Sequence, residues 1–590
     1  MAGESIEVES ILGSPDYLAA KISEQWQTWK QDKAPFEARI AENIKYVYAT
    51  STKETENAQN DWDHSTHVPK LAHIYDTLKA NYLDGLMPHK DWLNIQSEGG
   101  LHRDQKLKIL AYLKTKHRLR NLRGKVETLL DDWILAGNCF GAVSYVRETH
   151  INPLTQDTEI GYQGPEVTRI SPYDIVFNLT ASTFEKTPKI IRTVMTLGEV
   201  ARELEENPGV RYDAAVLQEV LDRRGRLMQY TIDDINKSRQ MQLDGFGTIG
   251  EYYKGDLVEF LHFYGDIYDV SEGRLYKNHV ITVVDRDRLV RNAPLNTWSG
   301  RPHIYHAAWR TRTDNLWGQG PLDNLAGMQY RINHLENARA DAFDEMLFGD
   351  LVFRGDVEVR QGDNGQTVYI APENGDVRRL APDPTVLNAD FQITAYEQKM
   401  ELFAGAPREA MGFRTAGEKT KFEVSVLTNA AARLFQHKMT RFEIDILEKI
   451  VNAEIEVSKL NLNGKDVASL DDPDANISAI VEITRDDLQF NGKIIPVGAR
   501  NFARQAQQAS DLLQFQQSAL QDQGVRVHFP SKKLAKAWER VLGAEEFELY
   551  EEFGQIPEQM EAQRLASAAQ TQLDVEKEAA LSELEGGGNQ

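Results

Sequence analysis

Several residue groups in this 590-residue chain have types that could support catalysis or nucleotide binding. The string GFGTIG at 245–250 has the GxGxxG spacing of dinucleotide-binding loops. However, no strand pattern precedes it and no helix pattern follows it, so no helix N-terminus could receive a pyrophosphate. Each Gly-Lys pair is followed by Val, Asp or Ile, whereas a Walker A loop needs Ser or Thr there to hold Mg²⁺. The sequence therefore predicts no nucleotide site.

The possible metal ligands and nucleophiles are equally weak candidates. The densest group of ligand types is Asp61, Asp63, His64, His67 and His73, whose spacing matches no zinc pattern, so we interpret it as surface polar residues before a helix. Cys139 lies inside an apolar run, which favours a buried, inert thiol over a nucleophile. No GxSxG motif occurs. We expect neither an enzyme nor a bound metal or cofactor.

Composition indicates a large folded protein. The chain has 90 acidic and 67 basic residues, a formal net charge of -23, and 9 Trp, 21 Tyr and 22 Phe, which is too aromatic for a disordered acidic chain. One cysteine allows neither an intramolecular disulfide nor a cysteine-based zinc site. The N-terminus has no signal-peptide pattern, and no apolar run reaches the ~18 residues of a membrane span. We expect a cytosolic, non-membrane protein of about four domain-sized units.

The elements that must position any site change in type along the chain. Apolar residues at helical spacing predict helices within 17–50 and 68–87. From residue 141 to 309, short β-branched and aromatic runs separated by Pro and Gly predict antiparallel strands. After Pro321 the pattern predicts a helix of about 25 residues. The fold class expected is α+β, rich in helix.

The middle and end of the chain show a second series of elements. Residues 349–388 read as four short strands separated by Gly, Asn and Asp turns, and a short helix from Tyr396 to Phe403 follows. The Gly- and Pro-containing stretch after it predicts a loop. Apolar positions at 3 and 4 spacing over 424–460 predict one helix of about 40 residues, and further helices are expected at 498–523 and 531–585.

A basic stretch at 103–125 holds nine cations and a single acidic residue, Asp104. Lys114, Lys116 and Arg120 could form a basic surface that meets packaged DNA or an acidic protein. The alternative is an amphipathic helix whose cations pair with neighbouring carboxylates. The sequence leaves both interpretations open.

The order of these parts resembles the portal, or head-to-tail connector, proteins of tailed bacteriophages, particularly the short-tailed (podovirus) type. Four strings carry the resemblance: HVPKLAHIYDTLKANYLDGLMPHKDWL, VTRISPYDIVFNLTA, WGQGPLDNLAGMQYRINHLENARADAFDEMLFGDLVFRG and GAPREAMGFRTAGEKTKFEVSVLTNAAARLF. The four strings lie within a resemblance that covers roughly residues 17 to 520. They are family texture and contain no catalytic signature, so their specificity lies in their order.

The resemblance implies a portal fold of wing, stem, clip and crown around a central channel. Its segments would be the wing at 1–320, the first stem helix at 321–347, the clip at 348–388, the second stem helix at 389–404, the tunnel loop at 405–420, the long helix and return to the wing at 421–500, and the crown with an acidic C-terminus at 501–590. Arg408, Phe413, Arg414, Lys419 and Lys421 would form a mobile basic collar facing DNA. Helix capping or pairing between subunits is the alternative role for these cations.

The resemblance also implies a function. Portal proteins form dodecameric rings at one capsid vertex, through which double-stranded DNA is packaged and ejected. The implied partners are further copies of the chain, double-stranded DNA, the terminase large subunit, adaptor or tail proteins, and the major capsid and scaffolding proteins. The protein would reside in the virion, and in the host cytoplasm during assembly. The excess of acidic residues would then either keep DNA from adhering to the channel or simply maintain solubility.

Two other classes compete with this interpretation. A DNA-binding regulatory subunit or nucleic-acid enzyme would use the basic stretch at 103–125, although no metal or nucleotide motif supports it. A plain scaffold protein would form no ring. For the portal interpretation we expect closed rings, because the apolar stripe at 424–460 exceeds what the small stem and clip of one subunit could cover, so neighbouring subunits would bury the rest.

Overall fold

The computed structural model describes most of the first 500 residues. The chain divides into two compact units, Met1–Ala499 and Arg500–Gln590. The described residues are 15–49, 64–87, 92–97, 103–153, 156–206, 209, 211–224, 257–269, 274–348, 351–355, 357–361, 367–370, 376–379, 389–404, 435–472, 477–490, 492–497, 564 and 567. The helices predicted at 498–523 and 531–585, and the crown, thus fall almost wholly outside them.

Helices and antiparallel strands are interspersed along the first unit, so the predicted α+β class is confirmed. The described helices are α1 (Pro15–Val47), α2 (Lys70–Leu86), α3 (Arg103–Leu119), α4 (Leu122–Leu135), α5 (Leu197–Glu206), α6 (Ala214–Arg224), α7 (Ala326–Phe348), α8 (Ala389–Ala404) and α9 (435–461). Helix α9 contains a π-helical turn at Glu443–Leu447 and ends in the α-helical segment Glu448–Asn461. None of these helices is long and apolar enough to cross a membrane.

The strands form small antiparallel sheets. They are β1 (Leu93–Ser97), β2 (Asn138–Ile151), β3 (Thr158–Ile170), β4 (Ile175–Phe177), β5 (Lys189–Thr196), β6 (Leu257–Asp269), β7 (Arg274–Val284), β8 (Arg288–Pro294), β9 (Ile304–Ala308), β10 (Arg310–Arg312), β11 (Asn315–Gln319), β12 (Leu351–Arg354), β13 (Glu358–Gln361), β14 (Thr367–Ile370), β15 (Asp376–Arg379), β16 (Lys465–Asp472), β17 (Ile477–Thr484) and β18 (Gly492–Pro496). Strand β1 pairs with β18, so the first and last of the described strands are neighbours in one sheet.

The largest sheet has the order β4-β5-β6-β7-β8 and is covered on both faces. Successive side chains of a strand point to opposite faces, so Leu261 packs with α1 while its neighbour Phe260 packs with α5 and α6. Both are fully buried. Covering each face with helix explains why these strands read as nearly continuous apolar runs.

A buried lysine fixes α1 on this sheet. Lys33 is 1% exposed, donates a hydrogen bond to the carbonyl of Ile175 in β4 (2.8 Å) and pairs with Glu37 (2.9 Å). Burial, opposed only in part by Glu37, lowers the pKa of Lys33 to about 8. The helix is therefore held by a specific polar contact as well as by apolar packing.

The main core lies around Trp133 of α4. Its ring contacts those of Tyr82 in α2 (centroids 5.3 Å apart), Trp309 (4.4 Å) and Phe442 of α9 (4.9 Å). Helix α9 runs through this core, and its stripe at Met439, Phe442, Ile446, Ile450 and Val457 is buried within the single chain. The expectation that neighbouring subunits must cover this stripe is therefore wrong for residues 435–461, because α2, α4 and β2 already cover it.

The predicted helix after Pro321 is confirmed. Pro321 has φ -65° and caps a 3₁₀ turn, Leu322–Asn324, that leads into α7. Before it, the chain passes very close to Gly137, whose φ is +69° and whose hypothetical Cβ would lie 2.2 Å from the nitrogen of Gly320. Only glycine tolerates both the left-handed backbone and this approach at position 137.

Helices α7 and α8 pack against each other, and the four strands β12 to β15 lie between them in sequence. Strand β12 pairs with β15, and β13 with β14, as two small antiparallel ladders. The four predicted strands are thus present, and α8 is longer than the predicted short helix. We call the segment 326–404 the hairpin segment.

Candidate functional site

A ladder of side chains anchors the first helix of the hairpin segment. Four residues of α7, each four positions from the next, accept hydrogen bonds from backbone N–H groups at the start of α2. The rungs are Gln329 with Leu71 (2.9 Å), Asn333 with Val68 (3.1 Å), Asn337 with Thr66 (2.8 Å) and Asp341 with His64 (3.0 Å). Residues four apart share one helix face, so a single face of α7 holds the whole segment.

The ladder uses polar groups that are costly to bury without partners. Gln329 and Asn333 have no measurable exposure, and Gln329 also donates to the carbonyl of Val68 (2.6 Å) and to Asn333 (2.8 Å). His67 lies between Asn333 (3.0 Å) and the carbonyl of Tyr46 (2.9 Å). Because a buried amide left unpaired costs about 1 to 3 kcal/mol, the buried rungs at Gln329, Asn333 and Asn337 strongly favour this one arrangement.

The second helix of the hairpin segment is held by ion pairs. Glu401 of α8 is 3% exposed and pairs with Lys70 of α2. Arg339 of α7 pairs with both Glu336 and Asp390, and so joins α7 to α8. Both helices are therefore fixed to the same part of the body, at the N-terminal end of α2.

The hairpin segment also exposes an unusual amount of apolar surface. Eleven of the 22 exposed large apolar side chains in the described residues belong to it, although it is a small part of the chain. They are Tyr330, Phe343, Leu347, Leu351, Val352, Phe353, Val359, Tyr369, Phe391, Leu402 and Phe403. Such concentrations mark interaction sites on soluble proteins. We call this set the apolar hairpin surface.

The basic stretch at 103–125 forms α3, the turn after it and the start of α4, and it is not an open basic surface. Lys116 is only 4% exposed, pairs with Asp466 of β16 (2.7 Å) and donates to the carbonyl of Gln163 (2.6 Å). The prediction that Lys116 lies on a basic surface is therefore wrong. Its ammonium also lies 5.4 and 5.2 Å from the ring centroids of Tyr112 and Tyr162.

The neighbouring cations follow the same pattern. Arg120 pairs with Glu148 (2.6 Å) and its guanidinium stacks 3.8 Å from the ring of Tyr162, so its charge is committed within the chain. Lys114 is exposed. Further pairs join Lys108 to Asp487 (2.7 Å), Arg123 to Asp84 (2.8 Å) and Lys125 to Glu166 (2.6 Å). Pairing with carboxylates, the alternative interpretation, is what the structure contains.

A buried polar cluster lies beside Lys116. His117 Nε2 is 2.7 Å from Glu454 Oε2 of α9, and both residues are nearly inaccessible. Tyr112 donates to Ser458 Oγ (3.2 Å). These contacts join α3 to the C-terminal part of α9, so the cluster locks elements from distant parts of the sequence.

The remaining site candidates carry no catalytic arrangement in the part of the chain that is described. Arg408, Phe413, Arg414, Lys419 and Lys421, like the string at 245–250, lie outside the described residues, as do Asp61 and Asp63. No group of His, Cys, Asp or Glu among the described side chains could hold a metal ion. Cys139 is fully buried, and burial raises its thiol pKa.

Sequence reasoning missed the ladder. Its signal was present as Gln329, Asn333, Asn337 and Asp341, four polar residues at steps of four along one helix. Such a polar stripe predicts a hydrogen-bonded face. Its partner could not be inferred, because N–H groups before α2 have no side-chain signature.

No protein-family model matches the chain, and a search of curated proteins found no match either. The assignment of a function therefore rests on the resemblance and the apolar hairpin surface.

Proposed function

We propose that this chain is the subunit of a phage portal ring, through which double-stranded DNA is packaged and ejected at one capsid vertex. The observation that carries the proposal is the apolar hairpin surface: two packed helices, separated by short strands, that are fixed to the rest of the chain and also expose large apolar side chains. In a portal these elements are the stem and clip, where neighbouring subunits meet. The proposal gives these exposed side chains a partner, namely further copies of the chain.

The stripe of α9 is buried within one chain and gives no reason for a ring. The exposed side chains of the apolar hairpin surface are the ones that a ring would cover. Phe391 of α8 is 82% exposed and Phe353 of β12 is 45% exposed. Burying a Phe side chain contributes about 1.5 to 3 kcal/mol. Several such residues at every subunit contact would stabilise a closed assembly, in which the contact recurs around the ring.

The competing interpretation, a DNA-binding regulatory subunit or nucleic-acid enzyme, loses its main support. It relied on free cations at 103–125, but Lys108, Lys116, Arg120, Arg123 and Lys125 are bonded to carboxylates of the same chain. Cations that carboxylates already neutralise release few counterions from DNA and so add little affinity.

Assembly tests the proposal directly. We expect the purified protein to form rings with a central hole under negative-stain imaging and to scatter light as a large oligomer at micromolar concentration. Phe391→Ser should weaken the subunit contact by about 1.5 to 3 kcal/mol, roughly a tenfold to hundredfold rise in its dissociation constant. Ile480→Ser is the matched control, since Ile480 is 80% exposed on β17, outside the hairpin segment.

A wild-type protein that stays monomeric would refute the proposal that the chain forms a ring. Rings that survive Phe391→Ser but are lost in Ile480→Ser would move the subunit contact away from the apolar hairpin surface. A ring-forming protein should then support three further steps: docking of terminase and adaptor proteins, incorporation into the capsid, and passage of DNA.

A further inference from the structure

Three cations lie near one another where the start of α9 meets strand β10. Lys438 and Arg441 lie one turn apart on α9, beside strand β10, which carries Arg310. Lys438 donates to the carbonyl of Trp309 (2.5 Å), and its ammonium is 5.0 Å from the Trp309 ring centroid. Arg441 donates to Thr311 Oγ1 (2.9 Å). Helix and strand therefore bring these charges together.

The cluster holds more cations than carboxylates among the described residues. Lys438 is only 9% exposed, yet it has no carboxylate partner among the described residues, and neither has Arg310, which is exposed. Arg441 has one, Asp445 at 3.3 Å. Burial, together with the nearby charges of Arg441 and Arg310, lowers the pKa of Lys438 to about 8. Three cations thus face one carboxylate.

An arrangement of this kind is unfavourable without an anion. Burying a charge is costly unless it is paired, and like charges at short range repel. The chain has a large excess of acidic residues, so carboxylates to neutralise the cluster are not scarce in the sequence. A bound anion would supply the missing charge, and arginine suits phosphate because its planar fork of N–H donors can form two parallel hydrogen bonds.

We propose that Arg310, Lys438 and Arg441 form a phosphate site that contacts the backbone of double-stranded DNA. The inference rests on the proposed function for its ligand, because duplex DNA is the phosphate-bearing polymer that a portal ring surrounds. The two arginines would bond phosphate oxygens, and Lys438 would add its charge from behind them. Contacts of this kind carry no sequence information, as a DNA conduit requires.

The test compares two arginines of one strand. Arg310→Ala removes a member of the cluster, whereas Arg312→Ala removes an equally charged residue of β10 that is already paired with Asp314 (3.2 Å). Binding of a short fluorescent DNA duplex is measured by anisotropy as salt is raised from roughly 50 to 200 mM. We expect Arg310→Ala to weaken binding about threefold at the low-salt end and to reduce the salt slope by about 0.9. Arg312→Ala should behave as wild type.

Lys438→Met gives a second, independent readout. It removes a buried charge without a carboxylate partner, so thermal unfolding should shift upward while DNA affinity falls. A variant that merely misfolds would lose both stability and affinity. Equal DNA binding and equal salt slopes for wild type, Arg310→Ala and Arg312→Ala would overturn the site.

Imaging separates this inference from the proposed function. Rings that form normally but bind no DNA at low salt would overturn the phosphate site and leave assembly standing, whereas the absence of rings would refute the proposed function. If Arg310→Ala disrupts rings while DNA affinity is unchanged, the cluster is a contact for a carboxylate of a second copy, and the phosphate site is refuted.

Discussion

Lys116 offers the sharpest test of how the basic helix works. Its side chain is 4% exposed, 2.7 Å from Asp466, and bonded to the carbonyl of Gln163. Lys116→Met leaves the buried Asp466 without its partner. Breaking a buried pair from one side costs about 3 to 5 kcal/mol, so we expect the free energy of unfolding to fall by that amount.

The control lies on the same helix. Lys114 is exposed, so Lys114→Met should change the free energy of unfolding by no more than about 0.5 kcal/mol. Urea unfolding followed by tryptophan fluorescence measures both, at one fixed protein concentration because assembly would itself add stability. Asp466→Asn added to Lys116→Met removes the stranded charge and should restore part of the loss. The reasoning is refuted if Lys116→Met and Lys114→Met unfold at the same urea concentration, or if the double variant recovers nothing.

Two further predictions concern the fold. Burial lowers the pKa of Lys33 from 10.5 to about 8, so the unfolded chain binds more protons between these values and the free energy of unfolding should rise as pH increases from about 8 toward 10.5. Lys33→Met should flatten that rise in urea titrations at several pH values; equal pH dependence in both proteins would contradict it. Gly137→Ala should lower thermal stability by about 1 to 3 kcal/mol, because φ is +69° and the added Cβ would meet the backbone of Gly320. Gly327→Ala, which meets nothing within 4 Å in helix α7, should instead raise stability by about 0.5 to 1 kcal/mol, and similar shifts for the two variants would count against this explanation.

The elements that could be predicted are those with local signals. Pro321 marks the start of the turn before α7, and the Gly, Asn and Asp turns between 349 and 388 separate the four short strands. Both depend on backbone preferences that a few neighbouring residues determine. The apolar run from Trp133 was harder to assign, because helix α4 ends and strand β2 begins within it. A fully buried helix and a fully buried strand both read as continuous apolar residues, so periodicity cannot separate them.

The ion pairs of the basic stretch could not be predicted because the partner carboxylates are remote in sequence. Asp466 is 350 residues beyond Lys116 in sequence, so a count of charges within 103–125 shows nine cations and misses the carboxylates that pair with five of them. The stripe of α9 misled for the same reason: its length is visible in the sequence, whereas the elements that cover it are not. The roles of wing, stem, clip and tunnel loop stay predictions.

The ladder between α7 and the start of α2 pairs every fourth residue of a helix with every second residue of an extended segment, from His64 to Val68. Four helical residues rise about 6 Å, while two residues of chain span at most about 7 Å. Asn337 and Asn333 can therefore engage Thr66 and Val68 together only if that segment is almost fully stretched. Sliding α7 by one turn in one direction would place the apolar Leu325 opposite the N–H of Leu71, and sliding it the other way would leave the buried Gln329 without its donor. The ladder thus favours a single register between α7 and α2. Because most of its rungs are uncharged amides, high salt should not weaken it.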